Sequence, residues 1–159
     1  MFEGAIFDWD GVVVDSSSAH RESWERLAEE RGLSLPENHF ARSFGRKNAV
    51  IIPEIYQWAS DPGEISELGL RKEALYREII TETGLEPLPG AVELFRALKG
   101  AGIPMAVGTS TPRENVEAVM ELIGVEDIFT AIISAEDVTQ GKPDPEVFLK
   151  GAVALAKAP

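Results

Sequence analysis

The 159-residue sequence predicts an α/β protein, a parallel sheet with a block of helices inserted after the first strand. Three observations carry that expectation. Short apolar runs at 5–7, 103–108 and 131–134 are separated by helical stretches, the spacing of right-handed β-α-β units. Residues 34–83 contain no strand pattern and read as all-helical. Acidic, hydroxyl and ammonium side chains follow the three strand ends, where an open parallel sheet binds its ligands.

Ala5-Ile6-Phe7 stops abruptly at Asp8-Trp9-Asp10-Gly11, which reads as a buried strand delivering acids at its C-terminal end, with Gly11 in a turn. A helix follows over 17–31, with Trp24, Leu27, Ala28 and Arg31 on one face and Gly32 as its stop. Ser34-Leu35-Pro36-Glu37 has the form of a capping box, with proline in the first turn. Pro53 interrupts the apolar segment 49–58, so a helix there is kinked or begins later. Asp61-Pro62-Gly63-Glu64 repeats the capping logic and opens a long helix to about Thr83, with Gly84 as its cap. Along it Ile65, Leu68, Lys72, Leu75, Tyr76, Ile79 and Ile80 recur at helical spacing.

From Leu88 the pattern changes. A helix over 90–100 ends at Gly100, and the strand Ile103–Gly108 follows. Thr111-Pro112-Arg113-Glu114 reads as a capping box opening a helix closed by Gly124. Ala131–Ser134 forms the third strand, and Asp144-Pro145 caps the last helix. The expected organisation is a sheet domain of residues 1–15 and 84–159 and a helical domain of residues 16–83, with hinges near 14–18 and 83–88.

Composition narrows the function. Hydrophobic residues at 44% and charged residues at 26% are ordinary for a globular chain. No apolar run approaches the ~18 residues of a membrane span, and the first residues lack the basic start of a secretory signal. The absence of cysteine excludes disulfides, thiolate catalysis and Cys-ligated zinc. A net charge of −12 argues against nucleic acid or an anionic membrane as partner. The expected setting is cytoplasmic, and the complete protein is expected to be a monomer.

That charge poses a problem for any phosphate ligand, which the strand ends answer. Asp8 and Asp10 leave the first strand on one side, Thr109-Ser110 follow the second, and Lys142 lies on the loop after the third. Crowded carboxylates oppose each other's ionisation unless a cation intervenes, and Mg²⁺ takes oxygen ligands of this kind. Asp8 could attack phosphorus to give an aspartyl-phosphate, and Asp10 could protonate the leaving oxygen and then activate the acceptor. Thr109 and the backbone N–H groups around Ser110, at a helix N-terminus, would bind phosphoryl oxygens, with Gly11 in the adjoining turn. Lys142 would balance charge on Asp8 and the transferring group.

Taken singly, each signal has a plainer reading. An Asp-x-Asp pair is commonly a solvated turn, Thr111 an N-cap, and a lysine before Pro143 a surface charge. His20 reads more simply as a solvated or hinge residue than as a metal ligand. Arg46-Lys47 and Arg71-Lys72 read as solvated helix faces, and Trp24 and Trp58 as core. The joint placement of the strand-end residues favours the chemical reading.

Phe7-Asp8-Trp9-Asp10-Gly11-Val12-Val13-Val14-Asp15-Ser16 resembles the first motif of the haloacid dehalogenase superfamily. Val107-Gly108-Thr109-Ser110 resembles its second motif, and Gly141-Lys142-Pro143-Asp144-Pro145 its third. The helical insertion looks like the small cap of the beta-phosphoglucomutase-like subgroup. The resemblance implies a Rossmann-like core with an all-helical cap, and a phosphatase or phosphomutase acting on a small phosphorylated metabolite. It implies Asp8 as nucleophile, Asp10 as general acid/base, and Mg²⁺ held by the Asp8 carboxylate and the Asp10 carbonyl. It also implies substrate contacts from the cap, where His20, Arg46, Lys47 and Lys72 occupy comparable positions. The family's fourth motif, a further acidic metal ligand, has no counterpart before Lys157-Ala158-Pro159, and Asp137 and Asp144 stand in the wrong context to replace it. Roughly 50–60 residues of an ordinary core are therefore expected to be absent from this sequence. The competing readings are an inactive fragment or binding module, and a signalling receiver, which lacks such a helical insertion.

Overall fold

Ala5–Phe7 forms β1, which pairs in parallel with β2, Met105–Gly108; β2 pairs in parallel with β3, Ala131–Ile133. The order β1-β2-β3 places β2 in the middle, buried along its length, with β1 and β3 half-buried beside it. The first strand is half-buried and so less enclosed than its apolar sequence predicts; among the described residues β2 is its one strand partner. In this computed structural model residues 3–156 are described, and they fall into two compact units: Met1–Asp15 with Leu85–Pro159, and Ser16–Gly84.

The sheet belongs to the first unit. Strand alternation separates the packing of its two faces. On one face Ile6 meets the last helix: a Cβ on Gly151 would lie 3.2 Å from Ile6 Cδ1, and one on Gly108 would lie 3.1 Å from Phe148 Cδ1. Both glycines therefore ease the close approach of helix and sheet. On the other face Phe7 and Trp9 join Phe95 and Phe129 in an edge-to-face cluster, with ring centroids 4.9 Å apart for Phe7–Phe95 and 6.0 Å for Trp9–Phe129.

The regular elements of the second unit are all helical. Its long helices are α1, Ser17–Arg31, and α4, Pro62–Thr83, which pack on each other. Between them run α2, His39–Ser43, α3, Asn48–Val50, and a π-helical turn, Ile51–Tyr56. Their core is Trp24, Leu27, Ile51, Ile52, Tyr56, Leu68 and Leu75, with Trp58 packed at its margin. Gly32 closes α1 at φ 64°, and the Asp61 carboxylate accepts the N–H groups of Gly63 and Glu64 at 3.0 Å to open α4.

Two expectations fail here. Ser34–Glu37 opens no helix; the chain stays irregular until Asn38, at φ 54°, starts α2. Pro53 neither kinks an α-helix nor delays one. It sits in the π turn that prolongs α3, and Gln57 ends that turn at φ 56°.

In the first unit, α5 spans Ala91–Gly100, α6 Arg113–Ile123 and α7 Glu146–Ala156, with a short 3₁₀ turn at Ala135–Asp137. No helix among the described residues is long and apolar enough to cross a membrane.

Candidate active site

Asp8 is the first residue beyond β1. Its Oδ1 accepts the N–H of Trp9 at 2.8 Å and the Lys142 ammonium at 2.5 Å. Lys142 is carried by the loop from β3 to α7, which is stitched to the helix start. The Glu146 carboxylate accepts the backbone N–H groups of Thr139 and Gln140, the latter at 2.7 Å, and Asp144 Oδ1 accepts the N–H of Glu146 at 2.9 Å. Lys150 first, and then these two N–H groups, pull the Glu146 carboxyl down to about 2. Lys142 Nζ also lies 5.5 Å from the Phe148 ring centroid. The lysine is therefore aimed at Asp8 and is no loose surface charge.

Asp10 leaves β1 through a tight turn. Gly11 stands at φ 77° and gives its N–H to the Val14 carbonyl at 2.8 Å, while Val13 gives its own to Trp9 at 2.8 Å. Gly11, expected beside the phosphate, does stand in a turn, and its N–H is engaged within that turn. Asp10 Oδ2 accepts the Thr111 hydroxyl at 2.5 Å. Thr111 does not cap α6: Pro112 holds the N-cap position without a side-chain bond, and the helix begins at Arg113. Ser110 accordingly lies three residues ahead of the helix, not at its N-terminus.

Thr109 is buried at the end of β2, with its N–H on the Ile133 carbonyl at 2.9 Å. Its Oγ1 accepts the N–H of Thr111 at 3.1 Å. One lone pair is therefore occupied, and the hydroxyl proton must point to a different acceptor, as a phosphoryl ligand would require. Sequence reasoning missed Thr111; the available signal was a second hydroxyl two residues beyond the first.

Asp137 and Asp144 are committed elsewhere. Asp137 accepts the N–H and hydroxyl of Ser134 at 2.8 and 2.7 Å and the Arg113 guanidinium at 2.8 Å. Burial pushes its carboxyl up, but these donors outweigh burial and hold it below the ordinary carboxylate range. No cluster of three or more His, Asp or Glu side chains suited to a metal ion occurs among the described residues. Asp8 and Asp10 remain the candidate protein donors for a hard cation. Their chemistry, carboxylate and carbonyl oxygen, fits Mg²⁺, which keeps several waters and takes further oxygens from a phosphate ligand.

In the helical unit the expectation of solvated His20 and Lys72 is overturned. Lys72 is 3% exposed and His20 8%. Lys72 Nζ lies 2.8 Å from His20 Nδ1 and 3.1 Å from Glu73 Oε1, and over the rings of Trp24 and Tyr76 at 5.4 and 5.5 Å. His20 stacks on Tyr76 at 4.2 Å, and Asn48 donates to Glu73 at 2.6 Å. Burial raises the Glu73 carboxyl, yet Lys72, His20 and the Asn48 bond outweigh it and leave the carboxyl depressed. Arg71, by contrast, is at the surface, bridging Glu30 and Glu78. Arg46 is exposed and Lys47 half-exposed; neither lies within a helix, since Lys47 occupies the N-cap position of α3.

Residues 2–159 match the family model described as haloacid dehalogenase-like hydrolase. The chain belongs to that family. Among curated relatives, a chloroplastic 5-amino-6-(5-phospho-D-ribitylamino)uracil phosphatase of Arabidopsis thaliana is 37% identical over 96% of this chain, which spans 41% of that protein. Hexitol phosphatase A of Escherichia coli K12 is 33% identical over 99% of this chain and 70% of its own length. Of the solved structures, beta-phosphoglucomutase from Clostridium difficile superposes with a TM-score of 0.84 at 26% identity, over 98% of this chain and 72% of that one. The chain thus spans under half of the first relative and about seven-tenths of the other two.

Proposed function

We propose that this chain carries the catalytic residues of a Mg²⁺-dependent phosphatase for a small organic phosphate of the sugar-phosphate type. The observation that carries this reading is the meeting of Asp8, Asp10, Thr109 and Lys142 at the C-terminal end of one parallel sheet, in a chain of this family. Relatives named as phosphatases of phosphorylated ribityl and hexitol compounds support the substrate class.

An Asp8 carboxylate oxygen attacks phosphorus, the bond from phosphorus to the substrate oxygen breaks, and the proton of Asp10 goes to that oxygen. Water then attacks the aspartyl-phosphate, Asp10 takes its proton, and phosphate leaves with Asp8 restored. The Thr109 hydroxyl and the Ser110 N–H hold phosphoryl oxygens, and the Lys142 ammonium offsets charge developing between them and Asp8. Bound by the Asp8 carboxylate and the Asp10 carbonyl, Mg²⁺ would supply charge neutralisation of the phosphoryl group. We assign the exposed Arg46 and half-exposed Lys47 to recognition of the substrate's own polar body, and give His20 and Lys72, buried with Glu73 and Tyr76, no direct contact with it.

The test is phosphate release from a panel of sugar phosphates with Mg²⁺ or EDTA, with Asp8→Asn as control. Release that needs Mg²⁺ and vanishes in Asp8→Asn is expected; release that survives in Asp8→Asn would remove the nucleophile from this reading. The structural likeness to beta-phosphoglucomutase favours a second reading, in which phosphate returns to the sugar and not to water. Product analysis by ³¹P NMR separates the two.

A further inference from the structure

Thr111 is a loop residue between β2 and α6 that is 7% exposed, and three of its groups are bonded to three different parts of the sheet unit. Its N–H donates to Thr109 Oγ1 at 3.1 Å, beyond β2. Its carbonyl accepts the N–H of Ala135 at 3.2 Å, beyond β3. Its hydroxyl donates to Asp10 Oδ2, beyond β1. The backbone of Thr111 is thus pinned to the ends of β2 and β3 before its side chain reaches Asp10. Its hydroxyl is not used to cap α6, whose first turn carries no side-chain cap. A hydroxyl has one proton, and here it is committed to one carboxylate oxygen, which restricts the rotation of that carboxylate and so favours one direction for its other oxygen.

We propose that Thr111 is a positioning residue for Asp10, holding the carboxyl at the angle from which it delivers a proton to the leaving oxygen. The proposal rests on the phosphatase reading. It also explains why the second strand end carries two threonines: Thr109 faces the phosphoryl group, and Thr111 ties the acid/base of the first strand to the same loop. Misplacement of a catalytic group by about 1 Å costs on the order of 10²-fold in rate. The need for a proton donor depends on the leaving group. An alkoxide from a sugar phosphate must be protonated as it leaves, whereas 4-nitrophenolate departs without help.

The experiment compares wild-type chain with Thr111→Val, which keeps shape and removes the donor, and Thr111→Ser, which keeps the donor. Each is assayed with Mg²⁺ on a hexose phosphate and on p-nitrophenyl phosphate. Thr111→Val is expected to lose about 10²-fold in kcat/KM on the hexose phosphate and to stay within about fivefold in kcat/KM on p-nitrophenyl phosphate, because kcat/KM reports the transfer to Asp8 and not the later hydrolysis, in which Asp10 serves both substrates alike. Thr111→Ser should stay near wild type on both, and Thr111→Val should add nothing in an Asp10→Asn background. Equal losses of kcat/KM on the two substrates, or no loss of it on either, overturns the role of Thr111. Wild-type chain without Mg²⁺-dependent turnover of either substrate overturns the phosphatase reading itself and this role with it. Thr111→Ala replaces Thr111→Val if circular dichroism shows the latter unfolded, and the same contrast with Thr111→Ser decides.

Discussion

Replacing Glu73 with Gln removes one charge and almost no volume from the buried cluster of the helical unit. Lys72 is 3% and Glu73 6% exposed, with Nζ 3.1 and 3.2 Å from the two carboxylate oxygens. Removing one partner of a buried ion pair costs about 3–5 kcal/mol, because the remaining charge is left uncompensated. Two features moderate the loss. Gln keeps an acceptor for Lys72 or Asn48, and Lys72 retains the Trp24 and Tyr76 rings at 5.4 and 5.5 Å. The expected loss is therefore at the low end, about 3 kcal/mol. With a urea m-value of about 2 kcal/mol/M the unfolding midpoint should fall by roughly 1.5 M, and the melting temperature by about 6–12 °C. Tryptophan fluorescence is a suitable probe, since Trp24 lies in the helical core and Trp58 packs at its margin. Lys72→Met/Glu73→Gln should recover most of the loss, because no lone charge stays buried. The sign of the pH dependence follows from the depressed Glu73 carboxyl. Its stabilisation is present above the ordinary value of 4.5 and fades as pH falls through the lower folded value, so the deficit of Glu73→Gln should shrink in acid. A loss below about 1 kcal/mol at pH 7, or an additive double variant, would refute the reasoning.

Tyr56 gives an alkaline counterpart. Burial, against an opposing bond with Ser43, pushes its phenol up to about 12, so its contribution is complete below pH 10 and is lost as pH rises toward 12. That two-unit gap is worth roughly 3 kcal/mol, and Tyr56→Phe should flatten this part of a pH–stability curve; an unchanged curve contradicts the assignment. At Gly151, alanine gains about 1 kcal/mol of helix propensity but meets Ile6 Cδ1 at 3.2 Å, so Gly151→Ala should melt within a few degrees of wild type. Gly151→Val overpacks the same contact and should cost about 1–3 kcal/mol, partly recovered by Ile6→Ala; a neutral Gly151→Val would show that α7 does not sit close on β1.

Much of this was legible in the sequence wherever a local rule governs. The Gly32 and Asp61 caps follow from residues within a few positions of each other, and the three strands show as short local apolar runs. The errors arose where distant partners decide. Lys72 falls on the buried stripe of α4 by spacing alone, yet its charge argued for solvent. The burial is made possible by His20, 52 residues away, and by Asn48 acting through Glu73. Thr111 before Pro112 satisfies the form of an N-cap, and only the folded sheet shows that Asp10, 101 residues away, takes its hydroxyl. Pro53 could not be placed because a π turn has no composition of its own, and here it prolongs a three-residue helix packed on α4.

The charge problem posed by Asp8 and Asp10 also has a fuller answer than a divalent cation alone. The protein itself engages each carboxylate, Lys142 on Asp8 and Thr111 on Asp10. Lys142 and Mg²⁺ would then share one carboxylate, and two cations on one oxyanion group repel. At about 5 Å, a monovalent and a divalent charge in a solvent-like dielectric oppose each other by roughly 1–2 kcal/mol. That dielectric is the appropriate one, because the Lys142 and Asp8 side chains are 23% and 36% exposed. Lys142→Met should therefore bind Mg²⁺ about tenfold more tightly, read by calorimetric titration or by a larger Mg²⁺-induced rise in melting temperature, while turnover falls because the transferring group loses its ammonium. Affinity and activity move in opposite directions only if the lysine serves the phosphoryl group and not the metal. Weaker Mg²⁺ binding in Lys142→Met would mean that the lysine organises the cation site instead, and the division of labour between Asp8, Lys142 and the metal would have to be redrawn.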